Sequence, residues 1–123
     1  MLSQAPIRAY IPVSDVARAR RFYEDKLGLR PQQEYAGGVI YECGGTEVFM
    51  YPTPNAGTSR ASQAFWQVVD VEKEVAELKA RGVKFEHYEM PGMNTNGIAT
   101  AGGAKTAWFK DTEGNILAVS QRL

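Results

Sequence analysis

Side chains able to do chemistry are few in this chain, and they do not cluster in sequence. His87 is the single histidine, set between Glu86 and Glu89. An imidazole there is able to serve as a general base, but the same pattern describes a solvated surface histidine between acids. Cys43 is the single cysteine, within Glu42-Cys43-Gly44-Gly45 and with no histidine near it in sequence. A thiol of ordinary pKa is mostly protonated and a poor nucleophile. One cysteine also excludes an internal disulfide and a cysteine-rich zinc site. Gly102-Gly103-Ala104-Lys105 has the glycines and lysine of a phosphate loop without its full spacing or its following Ser or Thr.

The whole chain narrows the function classes. Fourteen basic residues balance fourteen acidic ones in 123, so no long-range field gathers nucleic acid or an anionic membrane, and neither is expected as a partner. The Arg18–Arg21 run reads as a solvated helix face. No apolar run approaches the ~20 residues that cross a bilayer. The start lacks the charged, apolar and small-residue sequence of a signal peptide. A soluble, cytoplasmic chain with a real core is expected.

The hydrophobic pattern then assigns the elements that must position these residues. Ile7–Val13 reads as a strand and runs into Ser14-Asp15, a helix N-cap signal. Val16, Ala19, Phe22, Tyr23 and Leu27 recur at helical spacing as far as Gly28, a C-terminal stop. Arg30–Tyr35, Gly38–Cys43 and Glu47–Tyr51 are three short extended runs, and Pro52–Ser62 is a connection rich in turn formers. The order then restarts with a strand at Phe65–Val69 and a helix capped by Asp70 that runs through Ala80. Gly82 stops that helix, and Val83–Tyr88 is extended. Pro91–Lys105 reads as a long loop, a flap over the site. It leads into a hairpin over Ala107–Gln121, turned by Asp111-Thr112-Glu113-Gly114-Asn115. Asp15 against Asp70 and Gly28 against Gly82 repeat at nearly one offset, so two copies of strand, helix and three strands are expected. The organisation is one domain over 1–123, with module one at about 5–52, a linker at about 53–62 and module two at about 63–123.

Ile11-Pro12-Val13-Ser14-Asp15, Arg21-Phe22-Tyr23 with Leu27-Gly28-Leu29, and Phe109 to Leu117 together resemble the vicinal-oxygen-chelate superfamily. That group contains glyoxalase I, extradiol dioxygenases and bleomycin-resistance proteins. The resemblance covers nearly the whole chain and implies an α+β fold: two βαβββ modules forming a curled mixed sheet around a cavity. It says little about reaction, since one fold hosts many chemistries. In metal-using relatives the ligand positions correspond to Arg8, Ala64 and Ala118, with a fourth within Thr46–Tyr51, where Glu47 is the sole candidate. A guanidinium has no lone pair to give and alanine has no donor, so no metal site and no cofactor are expected. The strand after Gly114 reads Ile116-Leu117-Ala118-Val119-Ser120, where such relatives carry a glutamate.

Alternation along strands places Arg8 with Tyr10, Ala64 with Trp66, and Ala118 with Ile116 and Ser120. The expected ligand-binding set is Arg8, Tyr10, Tyr51, Ala64, Trp66, Ala118 and Ser120. Trp66 is the better platform than Trp108, and Phe65 is expected against a helix. No catalytic residue is identified. The implied function is metal-free binding of a small aromatic or amphipathic molecule, as in bleomycin-resistance relatives. The alternative is a glyoxalase-type lyase or a dioxygenase, with or without a divalent metal. The resemblance also implies a homodimer.

Overall fold

A computed structural model describes residues 1–123, and the chain divides into two compact units, Met1–Ala56 and Gly57–Leu123. In the first, β1 (Ala9–Val13) leads into α1 (Val16–Arg20), then β2 (Pro31–Tyr35), β3 (Gly38–Cys43) and β4 (Thr46–Pro52). The sheet order is β1-β4-β3-β2; β1 and β4 are parallel, and the other neighbours antiparallel. Asp15 caps α1, its carboxylate accepting from the Arg18 backbone N–H at 3.0 Å. The helix continues as a π-helical stretch over Arg21–Lys26, and Gly28 leaves it at positive φ.

Alternation decides which face of this sheet is covered. Ile11, Val13, Val39, Tyr41 and Met50 are buried, together with Ala19, Phe22 and Tyr23 from the helical segment. Gly38 is needed where β3 passes β4, because a Cβ there would run into the Met50 carbonyl. A polar network closes one side of this core. Arg20 Nε and the Tyr41 hydroxyl both donate to Glu24 Oε2 at 2.7 Å, and Arg20 Nη1 donates to Glu34 Oε1 at 2.7 Å.

The second unit repeats the plan with β5 (Ser62–Gln67), α2 (Val71–Ala80), β6 (Ile98–Ala101), β7 (Ala104–Lys110) and β8 (Ile116–Arg122). Its order is β5-β8-β7-β6, with β5 parallel to β8. Asp70 caps α2 by accepting from the Lys73 N–H at 3.1 Å, and the Gln121 side-chain oxygen accepts from the Val71 N–H at 3.0 Å. Val71, Val75, Phe109, Leu117 and Val119 form the core.

Two expectations change here. Val83–Tyr88 is not a strand of the sheet: its backbone meets β7 only through a single bridge, Phe85 to Phe109, and one bond from the Glu86 N–H to the Trp108 carbonyl at 2.8 Å. The third strand comes instead from within Pro91–Lys105, which is therefore no free flap. Ile98 and Ala99 are buried, and the positive-φ pair Gly102-Gly103 turns β6 tightly into β7. Glycine and threonine content suggested a loop, whereas here the glycines are the turn of a hairpin.

The β7–β8 turn is held by a buried carboxylate. Asp111 Oδ1 accepts from the Glu113 and Asn115 backbone N–H groups at 2.8 Å each, and Oδ2 accepts from the Asn115 amide at 2.8 Å. Asn115 in turn accepts from the Gly57 N–H at 3.3 Å. Gly57 has positive φ, and a Cβ there would meet the Glu113 carbonyl. Asp111→Ala strands buried donors and is expected to cost about 3 kcal/mol in urea unfolding. A loss under ~1 kcal/mol would contradict this account of the turn.

The Glu24 network sets an acid limit. Burial pushes this carboxyl up, but hydrogen bonds from Arg20 and Tyr41 outweigh it and leave it below its ordinary 4.5. A carboxyl depressed in the folded state stabilises the fold above its unfolded value, and the gain is lost as pH falls through the depressed one. Urea midpoints should therefore drop with acid below pH 4.5, and Glu24→Gln should flatten that drop. An unchanged acid slope in the variant would contradict the network's role.

Candidate functional site

Each sheet leaves one face clear of its own helix, and those faces hold the candidate groups. On the first sheet the pairing sets Tyr10 beside Phe49 and Pro12 beside Tyr51. The rings meet closely: Tyr10 lies 5.0 Å from Tyr51 and 5.7 Å from Phe49, and Tyr35 lies 5.6 Å from Phe49. Tyr10 and Tyr35 are 62% and 56% exposed, so their apolar rings are presented rather than packed away. Arg8 stands just before β1, its Nε donating to Glu47 Oε1 at 3.2 Å. Both side chains are exposed, and such a pair contributes roughly 0–1 kcal/mol.

Arg8, Tyr10 and Tyr51 thus share one face, with Tyr10 and Tyr51 in contact. Phe49 and Tyr35 join them and were not anticipated. Phe49 was accessible in sequence, since it stands two residues from Tyr51 and strand alternation puts both on one side. Tyr35 comes from the far edge strand, two strands from β4, and carries no local signal.

On the second sheet the expected set divides between faces. Phe65 pairs with Ala118 and Gln67 with Ser120, while Ala64 pairs with Leu117 and Trp66 with Val119. Ala64 and Trp66 therefore lie on the helix-covered side, where Trp66 stacks on buried Phe109 at 6.3 Å. The cause is a register shift between Ser62 and Ala64. The added residue there turns the side chains that follow to the other face. Phe65, expected against a helix, is 63% exposed on the open side. Ala118 and Ser120 remain on that side; Ala118 is buried, and the Ser120 hydroxyl bonds that of Thr106 at 2.8 Å.

Trp108, not Trp66, is the tryptophan of the open face. It pairs with Ala118 in β8, and its indole N–H donates to Ser62 Oγ at 3.1 Å. Tyr88 meets it edge-on at 5.7 Å and 68°. These rings, with Met90 and Ile116, wall a concavity of about 430 Å³. Tyr88 and Met90 had no sequence signal, because their placement depends on the single bridge at Phe85.

A model of the Glyoxalase/Bleomycin resistance protein/Dioxygenase superfamily matches residues 5–119. The chain belongs to this superfamily. Among solved structures it is similar to a glyoxalase/bleomycin resistance protein/dioxygenase from Alicyclobacillus acidocaldarius, with TM-score 0.69 and 17% identity over 98% of this chain and 92% of that one. TnmS3, an antibiotic binding protein from Streptomyces sp. CB03234, shares TM-score 0.72 and 22% identity over 94% and 93%. A lactoylglutathione lyase from Agrobacterium tumefaciens shares TM-score 0.69 and 18% identity over 96% and 93%. At these identities the likeness is one of fold. No curated protein matches the chain.

The superfamily's metal-using members raise the question of whether these residues suit an ion. Arg8 is a cation already paired with Glu47, and Ala64 and Ala118 have no donor atoms. No three His, Cys, Asp or Glu side chains converge anywhere in the chain. A divalent ion needs several converging N, O or S donors, and the residues at these positions do not fit one.

Proposed function

We propose that this superfamily member is a metal-free binding protein for a small aromatic or amphipathic molecule. The observation that carries the reading is the first sheet's open face, where Tyr10, Tyr35, Phe49 and Tyr51 stand ring against ring beside Arg8. Aromatic rings offer large apolar area at small cost in side-chain freedom, and favour other rings in offset or edge-on geometry. Arg8 and the tyrosine hydroxyls supply the few polar groups that orient a bound molecule. The antibiotic-binding activity named for TnmS3, on the same fold, supports the reading. A metal-dependent lyase or dioxygenase would need donors where this chain has Arg8, Ala64 and Ala118.

Titration calorimetry and thermal melting with a panel of flat aromatic molecules and a bleomycin-type compound test the proposal. At least one compound should bind saturably and raise the melting temperature. Tyr10→Ala combined with Phe49→Ala should weaken that binding about tenfold. No heat and no melting shift across the panel would overturn the reading.

A further inference from the structure

We infer that the concavity on the open face of the second sheet selects a planar aromatic molecule carrying a negative charge. This rests on the small-molecule reading above and adds to it a site and a charge. At about 430 Å³ the concavity lies inside the ~300–1,000 Å³ range of ligand pockets. Its aromatic wall is a corner, not a filled stack, since the Trp108 and Tyr88 rings are inclined at 68°. A flat ligand laid on either ring presents its edge to the other, so both contacts take favoured aromatic geometries at once. Trp108 is fixed for this by its bond to Ser62, and the Tyr88 segment by the Glu86 N–H bonded to the Trp108 carbonyl. Met90 lines the same concavity, and its unbranched thioether adapts to ligand outline.

The charges around this corner are unequal. Arg60, Lys110 and Glu86 all line it. Glu86 Oε1 lies 3.6 Å from Lys110 Nζ, so this acid is already matched by a cation. Arg60 is exposed and joins none of the chain's ion pairs. The corner therefore carries one uncompensated positive charge beside an apolar floor. A guanidinium also forks onto a carboxylate or sulfonate and lies flat on an aromatic ring, two ways of meeting an aromatic anion. Burial and then Glu86 push the Tyr88 phenol up, so it stays a neutral hydroxyl able to donate a further hydrogen bond. A cationic ligand would meet two like charges and find its one acid engaged.

Three matched probes test this by calorimetry in low salt: 2-naphthoate, 2-naphthalenemethanol and 2-naphthylmethylammonium. Naphthoate should bind about tenfold tighter than the alcohol, with the ammonium weakest, given the modest worth of exposed charges. The gap should narrow as salt rises. In the double variant Arg60→Gln, Lys110→Gln, naphthoate affinity should fall to or below that of the alcohol, because Glu86 is left without its cation. Equal affinities for all three probes would overturn the anion selection and leave small-molecule binding standing. A naphthoate preference that survives the double variant would overturn this site. No binding by any probe would overturn the inference, and if the wider panel also failed to bind, the proposed function would fall with it.

Discussion

Each sheet in this chain has a single helix from its own unit to cover it, and side chains on a strand alternate, so burying one face leaves the other to be used. That constraint shapes both units. In the first, α1 and its continuation cover Ile11, Val13 and Met50, and the adjacent residues Tyr10, Phe49 and Tyr51 turn to the free side. In the second, α2 covers Leu117 and Val119 while Ala118, Ser120 and Trp108 turn away. Packing and exposure are thus assigned to alternate residues of the same strands, and the proposed recognition uses the exposed set.

The chemistry of those faces follows from which groups occupy them. Where metal-using relatives converge imidazoles and carboxylates, this chain offers a guanidinium, two alanines and one carboxylate paired with that guanidinium. Those residues do not supply the converging donors an ion needs, and on the first sheet Tyr10, Phe49 and Tyr51 stand on the face that Arg8 shares. In the proposed reading, recognition rests on ring contacts, with Arg8 and Arg60 setting charge preference. Arg8 and Arg60 stand on separate sheets: one is paired with an exposed acid, the other has no ion-pair partner.

Much of the fold was legible because its punctuation is local. Asp15 and Asp70 cap helices with their own side chains, Gly28 and Gly82 end them, and the bounds of β3 and α2 follow from pattern alone. The site was less legible because it depends on pairing across strands. One extra residue between Ser62 and Ala64 exchanges the faces of Phe65 and Trp66, and nothing in the local sequence announces it. The strand β6 was hidden for another reason: four residues, two of them alanine and one threonine, look like loop until Gly102-Gly103 folds them onto β7. Tyr88 and Met90 reach Trp108 through one bridge at Phe85, a long-range contact that periodicity does not encode.

Metal content per chain, measured after purification without chelators or a histidine tag and again after incubation with Ni, Zn, Fe and Mn, tests the central claim most directly. The account predicts substoichiometric metal under every condition, because Arg8, Ala64 and Ala118 give no donors. One tightly held ion per chain would contradict it.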